Sequence, residues 1–364
     1  MRKLSKLEVN DILCGCVILG TGGGGPIEEG QKIIAEAFEL EKDIVMVDLE
    51  EIPDEALIVT PYMLGALTFE ELDDKYKKLP RTEEEPIILA VNRMEKHIGK
   101  NIYGTIACET GGANTAVPMY VAALKDGYVL DADIAGRAVP EVTNSTYYIH
   151  GLPAAPVAMA NEFGEVAIVE NLYDDERSEE VLRSFAIVSN NAIAAVDHAM
   201  PFKELKHTLI PKTLTKALAL GETYRLAKEN NENVAEKVAE EGKGIVAFRG
   251  TVTNFEWATK EGFTVGEVHL VSSSGDRLKV WFKNENLMSW LNDEVFVTLP
   301  DLICLFDNTT NEPISTPNFE NDMDVSVVIY DGPSAFKTDK GLEAFGPRRF
   351  GFDMDYSPAL GRLF

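Results

Sequence analysis

Two stretches of the chain gather residue types that can do acid–base or electrostatic chemistry. The first runs through Glu109, Gly111, Gly112 and Asn114 to Asp131, Asp133, Arg137 and Glu141. Four carboxylates and one guanidinium offer a base to activate water, a proton donor, and a cation that orients an acid or stabilises developing negative charge. Asp131 and Asp133 bracket one residue, so in an extended strand both side chains point to the same face. Such a pair could activate water directly or hold a divalent metal such as zinc, because hard carboxylate oxygens suit either role. Simple pairing of Arg137 with Asp133 or Glu141 is the competing reading of the same residues.

The second stretch is LGTGGGGPIEEG, Leu19 to Gly30, in which Thr21 precedes Gly22, Gly23, Gly24 and Gly25. Glycines let several N–H groups converge on one polarised atom, and the helix starting near Pro26 adds its positive end. An oxyanion hole, or its sulfur equivalent, would use such a loop. A close crossing of two backbones would use it as well. Gly20-x-Gly22-x-x-Gly25 also satisfies a dinucleotide fingerprint, with Asp48 at the spacing of a ribose-binding acid. That fingerprint must follow a strand, whereas the residues before these glycines read as a helix, and no Gly-Lys-Ser/Thr follows to make a Walker loop.

Other reactive residues are scattered. Cys14 and Cys16 lack a second Cys/His pair, and two residues apart on a helix they face different ways. Cys108, beside Glu109 at a strand end, is a candidate nucleophile against the commoner reading of a buried structural thiol. Among the histidines His150, just beyond the acidic cluster, ranks first and His198, after Asp197, second. Gly346 to Phe352 is a closing segment that can approach the site from the other half of the chain.

The elements that position these residues follow from periodicity and caps. Ser5-x-x-Glu8 is a capping box, and Val9, Ile12, Leu13, Cys16 and Val17 recur at helical spacing. Strand-like runs cover Asp43–Leu49, Ala56–Thr60, Pro86–Val91, Ile102–Ile106 and Glu165–Glu170, and strands alternating with helices predict an α/β domain over 1–170. The second domain, 171–364, is expected to be helical over 178–240, with helical spacing from Val181 to Ala199 and from Leu214 to Ala239. It is then β-rich over 244–364, where Leu278, Val280 and Phe282 alternate with Lys279, Trp281 and Lys283 behind a Ser273–Asp276 turn. The expected fold is therefore an α/β domain followed by an α+β domain ending in a sandwich- or barrel-like unit.

Length and charge bound the function. At 364 residues two domains are the natural division. Acidic residues outnumber basic ones 60 to 34, a net charge of −26 that repels phosphate backbones and anionic lipid alike, so neither nucleic acid nor membrane is the expected partner. Four scattered cysteines argue for reduced thiols, and with no signal segment or apolar span a cytoplasmic location is expected.

Taken together, LGTGGGGPIEEG, ETGGAN, DADIAGRAVPE, IPKTLTKALALGETYRLA and GPRRFGFD resemble the DUF917 family, whose namesake activity is S-methyl thiohydantoin desulfurase. The resemblance runs over nearly the whole chain. It implies an enzyme related to the hydantoinase/oxoprolinase group, with a small cyclic ureide or thioureide ring as substrate and water attacking the ring carbon. It also implies a pocket formed by Gly22 to Gly25, Glu109, Gly111, Gly112, Asn114, Asp131, Asp133, Arg137 and Glu141. Asp131 or Asp133 would then activate water, directly or through a metal, and Arg137 would fix a substrate acid. A dinucleotide-dependent oxidoreductase and a non-catalytic subunit of a hydantoinase-type enzyme are the rival readings, and a homo-oligomer or a hydantoinase-type partner is the expected protein association.

Overall fold

A computed structural model of the chain describes residues 1–65 and 75–361. The chain opens with strand β1 (Arg2–Lys3) and helix α1 (Lys6–Leu19), whose Ser5–Glu8 capping box forms as the sequence predicts. The glycine loop then leads into α2 (Ile27–Glu39). Next come β2 (Val45–Val47), β3 (Leu57–Gly65), α3 (Pro86–Ile98), β4 (Gly104–Ala107), α4 (Ala116–Leu124) and β5 (Tyr128–Asp133). A short α5 (Thr146–His150) precedes the hairpin of β6 (Val157–Ala160) and β7 (Val166–Val169).

Pro86–Val91 is the start of helix α3, not a strand. Pro86 sits in its first turn, where a missing N–H costs nothing, and Ile87, Val91 and Met94 form its buried stripe. A six-residue apolar run fits either state, and only its continuation to Ile98 reveals the helical period.

The second half continues with α6 (Asp175–Val188), β8 (Ala192–Pro201), α7 (Phe202–Leu205), β9 (Ile210–Pro211), α8 (Thr213–Glu229) and α9 (Val234–Glu241). The helical spacing expected up to Ala199 ends at Val188, because Asn190 and Asn191 both take left-handed φ of 59°, which helices do not propagate. The following residues become β8 and join the first sheet.

Among the described residues that sheet has nine strands, in the order β1-β2-β5-β4-β3-β8-β6-β7 with β9 on β5. Strands β2, β5, β4 and β3 are mutually parallel, and β8 runs antiparallel to β3. Helix α8 packs on α1, and Arg225 holds Asp11 with two bonds of 2.9 Å, so the two halves share one core.

Among the described residues the β-rich region is an eight-stranded antiparallel sheet. Its strands are β10 (Ile245–Lys260), β11 (Phe263–Val271), β12 (Arg277–Lys283), β13 (Glu285–Leu291), β14 (Glu294–Thr298), β15 (Leu302–Asp307), β16 (Glu312–Pro313) and β17 (Asp324–Tyr330), in the order β14-β13-β12-β11-β10-β17-β15-β16. It curls until Asn286 Nδ2 of β13 donates to the Ile303 carbonyl of β15 at 3.1 Å. α10 (Asp339–Phe345) and the closing segment cover one end. Among the described residues no helix is long and apolar enough to cross a membrane.

Candidate active site

Ligand sites of open α/β sheets form beyond the carboxyl ends of parallel strands. Here the ends of β3 and β4 meet the glycine loop, the Ile134–Ser145 connection, the start of β8 and the start of β13 around a half-enclosed cavity of about 170 Å³. Gly24 and Gly25 wall one side; Glu109, Asn114 and Glu141 wall another. Gly24 and Gly25 of the N-terminal run and two of the mid-chain acids, Glu109 and Glu141, therefore face the same hollow, while Gly22, Gly23, Gly111 and Gly112 do not line it.

The glycine loop joins helix α1 to helix α2, so it does not follow a strand as a dinucleotide loop would. Its tightest crossing is at Gly24, with φ of 78°, where a Cβ would lie 2.3 Å from the Gly111 Cα. The Gly24 carbonyl accepts from the Ala113 and Asn114 amides at 3.0 and 3.1 Å. The crossing brings two glycine pairs into register, and the N–H groups of Gly24 and Gly25 have no acceptor among the described residues. Gly112 lies deeper, its carbonyl against Gly30. Gly22 accepts from the Thr316 amide.

Glu109 is buried. Its Oε1 accepts from Asn114 Nδ2 at 2.7 Å and its Oε2 from the Val139 amide at 2.8 Å. Burial raises its affinity for a proton, against the pull of those two donors. Asn114 also exchanges bonds with the Met63 backbone, so it ties the edge of β3 to Glu109. Glu141 sits at the rim, where Lys283 and Arg349 contact it. Burial alone would raise its pKa, but those two cations hold it below the usual range. Arg349 belongs to the closing segment, which thus reaches the mouth of the cavity.

Asp131, Asp133, Arg137 and Thr21 lie outside the cavity lining. Three residues of β5, Leu130 to Ala132, run opposite the single Ile106 of β4, which disturbs the simple alternation that would put both aspartates on one face. Asp131 instead caps α8: its oxygens accept from the Thr215 amide at 2.9 Å and the Thr215 hydroxyl at 2.5 Å. Asp133 accepts from the Thr110 hydroxyl at 2.6 Å and from the Gly136 amide. The two carboxylates thus aim at different partners and do not form a metal pair. Among the described residues no three His, Cys, Asp or Glu side chains converge as a metal-binding group.

Arg137 is fully buried and forms a strut between the halves, not a salt bridge to Asp133 or Glu141. It donates to the carbonyls of Ala138, Pro300, Asp301 and Asn286 and to the Thr21 hydroxyl.

The cavity contains groups that sequence reasoning ranked low or missed. His198 Nδ1 lies 2.8 Å from Asp197 Oδ1, and the Tyr62 hydroxyl donates to Asp197 Oδ2 at 2.7 Å. His198 stacks near Tyr147, with ring centroids 4.4 Å apart, and its Nε2 has no hydrogen-bond partner among the described residues. Burial pushes the imidazole pKa down, but the carboxylates of Asp197 and Asp175 outweigh it and hold the pKa above the usual value. Cys108 also lines the cavity; burial first, then Glu109 and Asp197, drive its thiol pKa well up, which disfavours a thiolate nucleophile. His150 contacts the Thr146 carbonyl and lies outside.

Arg183 of α6 reaches the rim from Glu179 and the Pro140 carbonyl. Glu285, at the start of β13, is 2% exposed and faces the same hollow. A doublet of carboxylate and histidine, Asp197-His198, was the available signal for the first group; Glu285 carries no local signal.

Among curated proteins none matches the chain. A protein from Chromobacterium violaceum, solved by X-ray crystallography, has the same fold, with a TM-score of 0.79 over 98% of this chain and 100% of that one, at 23% identity. The S-Me-THD-like N-terminal domain matches residues 7–171 and the S-Me-THD-like C-terminal domain residues 173–359. With the two domains matched in order along its length, the chain belongs to the S-Me-THD-like family.

Proposed function

We propose that this protein hydrolyses or desulfurises a small cyclic ureide-type ring, thiohydantoin or hydantoin-like, in the cavity between the glycine loop and β8. The observation that carries this reading is the meeting there of a buried carboxylate, a carboxylate-held imidazole and two lining glycines whose N–H groups have no acceptor among the described residues. Family membership supports the ring class.

Glu109 takes a proton from water, whose oxygen attacks the ring carbon bearing sulfur or oxygen. Its burial brings its proton affinity closer to neutrality, where a general base works best. The Gly24 and Gly25 amides stabilise the negative charge that develops on the attacked centre. When the carbon–sulfur bond breaks, its electron pair leaves on sulfur, and the His198 imidazolium, held by Asp197, donates the proton that makes the thiol. With a hydantoin the carbon–nitrogen bond breaks instead, and the ring nitrogen takes that proton. Arg183 at the rim orients a substrate carboxylate, a role the buried Arg137 is not placed to fill.

The test incubates purified protein with S-methyl thiohydantoins and hydantoins, following thiol release and ring products by mass spectrometry. Turnover that E109Q and H198Q abolish supports the reading; turnover unchanged in both variants, or none on any ring, removes it.

A further inference from the structure

One buried carboxyl of the cavity has no role in that chemistry. Glu285 is brought to the hollow by the C-terminal sheet, and its Oε2 has no hydrogen-bond partner among the described residues. No lysine or arginine among them lies within ion-pair distance of it. A buried carboxylate with one oxygen unbonded and no ion pair is costly to ionise, so such a group keeps its proton.

Its surroundings agree. Glu109 faces the same small volume, and two carboxylates that share a dry site do not both ionise. The main compensating charge on Glu285 is Arg137, which bonds the carbonyl of Asn286, next to Glu285 in the chain, and only neutral acceptors. Arg183, the other guanidinium at the cavity, is held at the rim by Glu179, so the two buried carboxyls share the field of Arg137 and one proton is left to be held. Burial and the neighbouring Glu109 both favour placing it on Glu285, and Glu109, which accepts two hydrogen bonds, is the better-solvated anion.

Gly23 fits this arrangement as well. A Cβ there would lie 1.9 Å from Glu285 Oε1, so the bare backbone makes the space in which the carboxyl sits.

A neutral carboxyl presents one donor and one acceptor side by side. That pattern complements an N–H next to a C=O or C=S, the edge of a lactam or thiolactam ring. We infer that Glu285 is a specificity-determining residue whose carboxyl pairs in two bonds with the N–H and C=O or C=S edge of a neutral ring, and that Gly23 makes room for it. This rests on the ring-hydrolase reading and narrows its substrate to rings with an unsubstituted N–H at that edge.

Calorimetric binding of hydantoin, 2-thiohydantoin and the hydantoins methylated at either nitrogen tests it at neutral pH. E285Q keeps a donor and an acceptor side by side and is expected to bind hydantoin within a few-fold of wild type. E285L, which removes both, is expected to weaken binding by about ten-fold or more. G23A, with melting checked for both variants, is expected to behave like E285L. Methylation of one ring nitrogen is expected to weaken wild-type binding by about ten-fold and to make no difference in E285L. If E285Q loses binding as fully as E285L, or if neither N-methyl compound binds more weakly to wild type, the inference is wrong and the ring-hydrolase reading stands. If wild type binds none of the rings, both fall together. The methylated ligands probe the unaltered protein, so a folding defect in a variant does not decide the result.

Discussion

The imidazole of His198 is held by a carboxylate of its own chain neighbour, Asp197, at 2.8 Å. Adjacent residues in a regular strand point to opposite faces, so this contact requires a break in β8. Thr60 pairs with Asp197 and Ile58 with Met200, which leaves two residues of β8 opposite Val59 alone, and His198 takes φ of 45°. A bulge of this kind re-aims side chains, and here it turns both groups toward one site. A left-handed φ at a non-glycine residue costs of order 1 kcal/mol or more, and the buried hydrogen bonds of Asp197 offset it.

The first prediction concerns that pair. D197N removes the charge that keeps His198 protonated while preserving a hydrogen-bond acceptor. Because Asp197 holds the imidazole pKa up, its loss is expected to move the alkaline limb of the activity profile to lower pH and to lower kcat by about 100-fold with a smaller change in KM. A pH–rate profile checks it, and an unmoved alkaline limb would place His198 outside the proton transfer.

Asp131 is expected to matter for stability and not for turnover. D131A removes both bonds to Thr215 at the start of α8, which should cost about 1–2 kcal/mol in denaturant unfolding. The folded fraction should keep wild-type kcat; a well-folded but inactive D131A would return the base to Asp131.

Asp133 should make stability depend on pH in a defined direction. Burial raises its pKa from 3.8 to about 7, so the native state holds a proton that the unfolded chain releases. Its contribution is therefore fully present below about pH 4 and is lost as pH rises toward 7, by about 4 kcal/mol at most. D133N cannot ionise. The stability difference between D133N and wild type should shift in favour of D133N between pH 4 and 8, as chemical denaturation at each pH would show. A constant difference would mean that Asp133 is ionised in the fold.

Arg137 should act as a strut. R137M leaves five acceptors from both halves of the chain without their donor, at a cost of roughly 3 kcal/mol or more. The expected outcome is a large drop in Tm, and R137K, which cannot span the same fork of acceptors, should recover little of it. A near-normal Tm for R137M would show that the strut carries no stability.

Much of this protein was legible along the chain because the signals are short-range. The Ser5–Glu8 box sets the start of α1, the alternation of Leu278, Val280 and Phe282 marks a half-buried strand, and the glycine runs at 22–25 and 111–112 announce a close backbone crossing. Caps, side-chain periods and glycine φ are decided within a few residues. What occupies the cavity was decided elsewhere. Asp131 and Asp133 part company because β5 slips against β4, and Asp197 and His198 come together because β8 bulges against β3. Glu285 arrives from the far sheet only when that sheet curls and docks against the glycine loop. Strand register and domain docking depend on partners distant in the chain, so the residue types of this site belong to the sequence, and their company belongs to the tertiary fold.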